Sequence, residues 1–468
     1  MAHWLRDRGF SAFAVRGGVA ALLGMPDADA DAAEPGERDQ SRSRAVASLR
    51  HRRFRLFSTG VLLSLVGNWV EAAAFGYVVL LLGGSAATLG LIGFLNTIPN
   101  LVFGLPAGAL ADRYDRRKLI LVFQGANMLV AVLLAVLWAT DSLSLLAIGA
   151  IAVVGGSLGT LSFPAFQGML ASTVPHEDLE SAVAVNSLSL QVARFIGPAI
   201  SGVLLAEAGP TWVFGFNAVS FLAVLWAIAL LPTSRAAVVQ VAGNLGGAMR
   251  EGLRYVFGQR SIASLMALLL FAGMFGTPPV AFMIPAIVRD RLDAGAGTLG
   301  ALTACIGLGS VLGSIALLRL ARRPNKGEPA LAGFFLTGAA IAAIGLSTST
   351  PLSLALAVVG GFSGVLFIGL STVVVQASSS DEMRARAMAI WAAFFVGVLP
   401  AGALVTAGLA ALVGTGAAVL VDGLVVVAGG LAVLATRPEV AWLGCAALPE
   451  ACIAATSPSA VAIEAAER

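Results

Sequence analysis

The sequence predicts an all-α polytopic membrane protein with twelve transmembrane helices. Hydrophobic residues make up 58% of the 468 residues and charged residues only 12%, and the mean hydropathy is +0.90. A soluble domain carries roughly 25% charged residues, so this composition excludes a soluble enzyme. The 54 glycines suit close packing between helices in lipid.

Twelve apolar stretches are each long enough to cross a bilayer, which requires about 20 mostly apolar residues per helix. Such stretches must be helical, because a helix satisfies its own backbone hydrogen bonds in lipid. Numbered as spans 1 to 12, they are expected at 57–82, 88–110, 119–140, 144–169, 184–206, 212–231, 262–288, 298–320, 330–348, 352–376, 387–411 and 416–436.

The regions outside the spans have a different composition. Residues 1–48 are polar, first acidic and then basic, which is typical of a disordered cytoplasmic extension. A cytoplasmic linker at 232–260 separates residues 49–231 from residues 261–436, and its segment AMREGLRYVF has the pattern of an amphipathic helix. Residues 437–468 are expected to form a cytoplasmic tail.

Basic residues predict how the spans are oriented. Arg and Lys cluster before span 1, between spans 2 and 3, in the linker, and after spans 8 and 10. The opposite side carries Arg289 and Arg291, between spans 7 and 8. Because basic loops stay in the cytoplasm, both termini are predicted to be cytoplasmic.

The hydrophilic run GALADRYDRRK at 108–118 is the most informative segment. Charge of this density cannot lie in hydrocarbon, so the run is expected to be a loop between spans 2 and 3. It resembles the cytoplasmic loop between helices 2 and 3 of the major facilitator superfamily, a class of secondary transporters. The matching residues are Gly108, Asp112, Arg113, Arg116, Arg117 and Lys118, and Asp115 replaces the family's second Gly.

This resemblance implies that the loop is a conformational latch and not a substrate site. Asp112, at the cytoplasmic end of span 2, is expected to help lock the outward-facing state through basic residues and a helix end. Arg113 and Arg117 are its expected partners.

Two loops indicate an internal duplication. QGMLASTVPHEDLESAVAV follows span 4 and QASSSDEMRARAMAI follows span 10, and each combines a Gln, an acidic pair and an Ala-rich start to the next span. They predict two six-helix pseudo-symmetric halves, which is the major facilitator fold. In that fold the substrate binds near the midplane between the halves.

Span 1 carries the first candidates for a functional site. Ser64, Asn68 and Glu71 recur at i, i+4 and i+7, which places them on one helix face. A carboxyl in the middle of a bilayer is costly and should face a cavity or a partner. Glu71 is therefore predicted to contact substrate or couple protons, and the alternative is a neutral, structural hydrogen bond.

Span 5 carries Gln191 and Arg194 on one face with Ser187 and Pro198. Arg194 is the only basic residue deep in a predicted span, and it cannot shed its proton. It needs a counter-charge, water or an anionic substrate, and Glu71 is the expected partner. The alternative is an arginine that snorkels or packs between helices.

Further polar residues lie in other spans. Asp422 is about two turns from the outer end of span 12, where water should reach it, so a solvated structural role and a proton relay both stay open. Six amide side chains could line a cavity, although most are expected to bond neighbouring helices: Asn96, Asn100, Gln124, Asn127, Gln167 and Asn217.

Span 5 also contains ARFIGPAISG, which resembles the Gly-Pro motif of proton-driven antiporters of the superfamily. Gly197, Pro198 and Gly202 match, whereas Ala193 and Ser201 replace glycines of that motif. Together with HRRFRLF, GNW and DEMRARAMA, the motif resembles the branch that contains the enterobactin exporter and related drug and secretion-effector permeases.

The sequence therefore predicts a transporter of the bacterial cytoplasmic membrane that exports a drug- or siderophore-class molecule by alternating access and proton antiport. Its expected partners are the substrate, the proton gradient and the bilayer, and it is expected to be a monomer. The alternatives are an uptake permease for a small metabolite and a non-transporting receptor on the same fold. The sequence shows no nucleophile–base pair, metal-ligand cluster or single basic recognition surface, so no enzyme, cofactor, metal site or nucleic-acid partner is expected.

Overall fold

The structure, a computed structural model, describes residues 47–232, 245–321, 323 and 325–442. Within these residues it contains twelve helices that are long and apolar enough to cross a membrane. The predicted fold class and the number of spans are therefore confirmed. Residues 1–46 of the predicted extension, most of the predicted tail and part of the linker lie outside the described residues. The last two residues of that extension are not disordered as predicted, because Ala47 and Ser48 are buried in a short 3-10 helix, Ala47–Arg50.

The first half contains six long helices with clear local start signals. The side chain of Ser85 accepts the backbone amide of Thr88 at 3.3 Å in a capping box at the start of span 2. The side chain of Ser144 accepts the backbone amide of Ala147 at 3.2 Å and caps the start of span 4. Spans 1 to 6 run Arg52–Leu81, Ala86–Arg113, Arg116–Ala139, Leu145–Ser172, Leu179–Glu207 and Pro210–Ala229.

The predicted loop between spans 2 and 3 is longer than the connection in the structure, so its predicted length is wrong. Span 2 continues to Arg113 and span 3 begins at Arg116, so only Tyr114 and Asp115 connect them. Asp115 caps span 3, since its side chain accepts the amide of Arg117 at 2.9 Å. Charged residues can remain helical where a helix extends beyond the hydrocarbon, and the φ of Asp115, −63°, requires no glycine.

A linker helix at Leu245–Gly258 corresponds to the predicted amphipathic segment. It packs on the beginning of span 11, where Arg386 pairs with Glu251 at 2.5 Å. The hydroxyl of Tyr255 accepts the backbone amide of Ser380 at 3.0 Å. These contacts hold the linker helix against the second half.

Span 7 is not the continuous helix that its apolar sequence predicted. It consists of Arg260–Phe271, a π-helical turn at Ala272–Gly276, and the short helices Thr277–Phe282 and Ile284–Asp290. Prolines at 278, 279 and 285 lack the amide that would continue the hydrogen-bond ladder. Spans 8 to 12 run Ala296–Leu320, Gly327–Leu346, Thr350–Ser378, Asp381–Val413 and Thr415–Thr436.

The two halves meet along two pseudo-symmetric helix crossings. Span 5 crosses span 8 at Gly202 and Gly300, and a Cβ added to Gly300 would lie 2.5 Å from the Cα of Gly202. Span 2 crosses span 11 at Gly90, where an added Cβ would lie 2.1 Å from the Cβ of Ala407. Glycine at these positions lets the backbones approach closely.

The halves are joined at one end of the bundle, which we call the outer end because it carries the loops after spans 1 and 7. There a large hydrophobic cluster combines Val79 and Leu89 of the first half with Met283, Ile287 and Val419 of the second. A smaller cluster also contains residues of both halves: Val70, Ala74, Leu205, Val213 and Ala296. At the opposite end, the hydrophobic clusters of the described residues each draw on one half. The two halves are therefore packed together at the outer end and, among the residues that the structure describes, share no such hydrophobic cluster at the opposite end.

Candidate functional site

A cavity of about 600 Å³ lies between the two halves, and spans 1 to 8 all contribute to its walls. Asn68, Glu71 and Arg194 line it, as their positions in the middle of predicted spans suggested. Gln191 and Asp422 are located elsewhere. The structure thus brings together three of the five residues that the sequence proposed for coupling or substrate binding.

Glu71 is held by a residue from span 6. The side-chain amide of Asn217 donates to the Oε2 atom of Glu71 at 2.7 Å, and the Oδ1 atom of Asn217 lies 3.1 Å from the hydroxyl of Ser220, which can donate to it. Gly67 makes this arrangement possible, since an added Cβ there would lie 2.5 Å from Asn217 Oδ1. The sequence named Asn217 as one of several polar residues, but no local signal indicated that it binds Glu71.

Arg194 does not pair with Glu71 in this structure, so the expected ion pair is wrong for this state. Its guanidinium lies over the ring of Trp69, 5.5 Å from the centroid, in a cation–π contact. Within the described residues, Arg194 forms neither a hydrogen bond nor an ion pair. Residues two positions apart point to different sides of a helix. Trp69 therefore contacts Arg194, whereas Glu71, two positions later, bonds Asn217.

The two halves contribute unlike walls to the cavity. The first half supplies both of the charged lining residues, Glu71 and Arg194, whereas the second half is apolar apart from Thr277 and Thr303. A cargo would therefore meet ionisable groups on one side and hydrocarbon on the other. The amides of the first-half wall are Asn68, Asn96, Gln124, Asn127 and Asn217.

The Gly-Pro motif of span 5 contacts both neighbouring spans. Gly197 faces span 1, where an added Cβ would lie 2.5 Å from the Cβ of Trp69. Gly202 faces span 8, and Pro198 presents its carbonyl to Gly300 at the same crossing. The motif thus positions Trp69 under Arg194 and also forms the contact between the halves.

Gln191 belongs to the same contact between the halves. Its side-chain amide donates to the hydroxyl of Ser314 in span 8 at 3.2 Å. This hydrogen bond links the halves directly and places Gln191 outside the walls of the cavity.

Asp422 is fully buried, with 0% exposure, so the expectation that water reaches it is wrong. The hydroxyl of Thr406 in span 11 donates to its Oδ2 atom at 2.7 Å. The next residue, Gly423, packs so closely on span 9 that an added Cβ would lie 2.4 Å from the amide nitrogen of Ala342. This close helix packing excludes water two turns from the helix end.

The basic residues of the predicted latch are engaged within the first half. Arg117 donates from its Nε atom to the carbonyl of Ile228 at 3.2 Å and from Nη2 to that of Ala229. It thereby satisfies carbonyls at the C-terminus of span 6. Arg116 donates to the carbonyl of Gly168 in span 4 at 3.2 Å.

Asp112 has none of its expected partners in this state. Arg113 lies over the ring of Tyr114, 5.8 Å from the centroid, and Asp112 and Lys118 are exposed. A Cβ added to Gly108 would meet nothing within 4 Å. Since the latch is expected to close in the outward-facing state, its role stays a prediction for that state.

The chain matches the transmembrane secretion effector family over residues 43–444. It belongs to this family of the major facilitator superfamily. Within the described residues, no three His, Cys, Asp or Glu side chains are grouped so that they could hold a metal ion.

Relatives of this transporter include exporters. The multidrug efflux pump Tap of Mycolicibacterium fortuitum is 24% identical over 353 residues, 74% of this chain and 86% of Tap. The enterobactin exporter EntS of Salmonella typhi is 27% identical over 336 residues, 71% of this chain and 79% of EntS. The staphyloferrin A transporter of Staphylococcus aureus is 33% identical over 178 residues, 37% of this chain and 44% of that protein.

Solved structures show the same fold. The D-xylose-proton symporter has a TM-score of 0.65 at 15% identity and covers 82% of this chain and 98% of its own. A bacterial homologue of the human lysosomal transporter Spinster, inward-facing and unoccupied, has a TM-score of 0.65 at 14% identity, with 83% and 98% covered. The family and the twelve spans make this protein a multi-pass membrane transporter.

Proposed function

We propose that this transporter exports a small organic molecule of the drug or siderophore class across the bacterial cytoplasmic membrane by alternating access and proton antiport. The observation that carries the proposal is the position of Glu71 in the cavity between the halves, 2.7 Å from the amide of Asn217. A carboxyl that reaches a cavity can load and release a proton. The exporters among the relatives favour the outward direction.

The packing of the halves supports alternating access. The cluster at the outer end joins both halves, and the clusters at the other end do not. The crossings at Gly202–Gly300 and Gly90–Ala407 supply close contacts about which one half can rock against the other. In this proposal residues 49–231 and 261–436 are the moving halves, and both termini lie in the cytoplasm.

Charge balance in the cavity defines which cargo can exchange with a proton. Arg194 stays positive in every state, so the site is neutral when Glu71 is ionised and carries one positive charge when Glu71 is protonated. A cationic cargo beside ionised Glu71 gives the same net charge as the proton does. Proton and cation can therefore replace each other, which is what antiport requires. Within the drug and siderophore classes, this charge balance favours a cationic cargo.

An anionic cargo would give the opposite coupling. The Arg194 guanidinium, which has no ion-pair partner within the part of the chain that the structure describes, favours this second candidate. The anion would pair with Arg194, and the site would be neutral when Glu71 is protonated. Anion and proton would then bind together, as in a proton-coupled uptake permease for a small metabolite. The sign of the pH dependence therefore separates export by antiport from uptake.

The test is cargo binding to the purified protein across pH without a gradient, using a panel of cationic dyes and aromatic carboxylates. For antiport, cation affinity should rise with pH by up to about tenfold per pH unit, the limit for exchange with one proton. Affinity for a carboxylate that instead falls with rising pH would favour uptake. Glu71→Gln should remove the dependence in either case, because it has no proton to exchange.

The matched control is Asp422→Asn, which removes a buried carboxyl that does not line the cavity. It should keep the pH dependence of the wild type. The same panel should be followed with efflux from inverted vesicles under an imposed pH gradient. Gradient-driven transport that survives Glu71→Gln would contradict the role of Glu71, and a panel that is neither bound nor moved would favour a receptor.

A further inference from the structure

A groove lined by arginines lies on the outside of the first half, at the end of the bundle opposite the outer end. It has a volume of about 980 Å³ and runs between the start of span 1 and the end of span 6. We refer to it as the basic groove. Its lining residues are Arg52, Arg53, Arg55, Leu56, Thr59, Arg117, Trp226, Ala229, Leu230, Leu231 and Pro232.

The charge of the basic groove is positive and largely uncompensated. Four of its lining residues are arginines and none is acidic. Arg117 and Arg55 donate to backbone carbonyls, which do not neutralise them. Arg52 and Arg53 are exposed and form no hydrogen bond or ion pair within the described residues. Nearby, Asp115 is occupied with the backbone amide of Arg117, at 2.9 Å.

The groove continues into an apolar track along span 6. Trp226 and Leu230 border the groove with exposures of 65% and 57%, and Val219 and Leu222 extend the same exposed face with 66% and 53%. Residues with this spacing line one side of a helix. Tryptophan is enriched at the level of lipid headgroups, so the groove lies at the boundary between water and hydrocarbon.

We infer that the basic groove binds an anionic phospholipid of the cytoplasmic leaflet, with the phosphate on Arg52 and Arg53 and the acyl chains along span 6. Basic pockets at helix ends on the cytoplasmic side suit such headgroups. The apolar track distinguishes a lipid from free phosphate, which would use only the arginines. This site does not depend on the direction of transport or on Glu71.

The experiment is to count lipids retained by the full chain in native mass spectrometry after titration with phosphatidylglycerol or phosphatidylcholine. The wild type should retain phosphatidylglycerol preferentially. In the double variant Arg52→Gln/Arg53→Gln its apparent affinity should fall by about 10- to 30-fold, as expected for two arginines near a lipid surface. The control is Arg250→Gln/Arg254→Gln, which removes the same charge from exposed positions of the linker helix.

Quenching by brominated lipids supplies a second readout that does not depend on affinity alone. Brominated phosphatidylglycerol should quench fluorescence in the wild type more than brominated phosphatidylcholine does, and Trp226→Phe should remove that difference. If the two double variants, Arg52→Gln/Arg53→Gln and Arg250→Gln/Arg254→Gln, lose affinity for phosphatidylglycerol equally, the inference is overturned, because general surface charge would then explain the binding. No preference for phosphatidylglycerol in the wild type would overturn it as well.

Two further measurements test other possible occupants of the basic groove. Inorganic phosphate that displaces phosphatidylglycerol at equal concentration would show a phosphate site without a lipid component. The chain's own stretch PDADADAAEPGE is acidic. Binding of phosphatidylglycerol that appears only after removal of residues 1–46 would show that this stretch occupies the groove, and would overturn the lipid assignment in the intact protein.

Discussion

Glu71 and Asp422 show how the surroundings of a membrane carboxyl determine its role. Asp422 is the eighth residue of span 12, and Asn217 is the eighth residue of span 6, so they occupy equivalent places in the two halves. Asn217 reaches across to Glu71 in the cavity, whereas Asp422 bonds Thr406 of span 11 at a place where span 12 packs closely on span 9. The repeat thus places two polar groups equivalently but gives only one of them a partner at the cavity.

For Asp422 we predict a structural effect without a change in coupling. Asp422→Asn keeps an acceptor for the Thr406 hydroxyl, so the pH dependence of transport should match the wild type. Asp422→Ala leaves that hydroxyl without its partner and should lower the free energy of unfolding by about 1–3 kcal/mol. Thermal unfolding in detergent and vesicle transport measure the two effects. A flattened pH profile in Asp422→Asn would instead indicate a proton relay.

At the scale of elements, glycines decide how closely the helices of the two halves approach. A Cβ at Gly300 would meet backbone atoms of span 5, at 2.5 Å from Gly202 Cα and 2.8 Å from the carbonyl of Pro198. Backbone atoms cannot rotate away as a flexible side chain can. By contrast, a Cβ at Gly104 in span 2 would meet nothing within 4 Å.

Gly300→Ala should therefore push spans 5 and 8 apart and lower the free energy of unfolding by about 1–3 kcal/mol, the usual cost of overpacking. Gly104→Ala is the matched control and should unfold at the temperature of the wild type or slightly above it, since alanine favours helix. Equal melting temperatures for both variants would show that the crossing relaxes easily and does not act as a tight pivot.

At the scale of the whole molecule, the outer end is closed by a polar contact as well as by the hydrophobic cluster. Arg289 of the second half donates to the carbonyl of Gly84 in the first half at 3.2 Å and also pairs with Asp290 at 2.7 Å. Arg291 donates to the carbonyl of Leu346 at 2.8 Å, which lies within its own half. Only the first of these two arginines should therefore hold the halves together.

Arg289→Gln should weaken the closure of the outer end, and Arg291→Gln, with the same change of charge, should not. The reporter is Thr303→Cys, a position in the cavity wall, in a chain whose three native cysteines are replaced. A membrane-impermeant maleimide added outside intact cells should label this cysteine several-fold faster in Arg289→Gln. If both variants raise the labelling rate equally, the contact between Arg289 and Gly84 does not hold the outer end closed.

The organisation of the fold could be predicted because each span is specified locally. The transfer of about 20 apolar residues into hydrocarbon favours a helix whatever its neighbours are, and all twelve spans were predicted. Prediction from hydropathy was less accurate for the places where helices end or break. Asp115 caps span 3 after a two-residue connection, and the prolines of span 7 divide it, although hydropathy alone indicated a longer loop and an unbroken helix.

The site could be predicted only in part. Asn68, Glu71 and Arg194 were identified because polar groups in hydrocarbon need a cavity or a partner, and they line one cavity. Their contacts were not predictable, since Asn217 and Glu71 are 146 residues apart in the chain. Asp422 was expected to meet water, and its burial follows from the packing of three separate helices.

The sequence by itself determined that this chain is a twelve-span transporter of the major facilitator superfamily, with basic loops at one face and ionisable groups in spans 1 and 5. Whether a segment lies in lipid or in water depends on its own residues, so the order of residues along the chain is enough to predict it. The tertiary structure alone decided that Arg194 meets Trp69, that Glu71 meets Asn217 and that the halves close at the outer end. These outcomes depend on which helices approach at their glycines, and therefore on contacts between residues far apart in the chain.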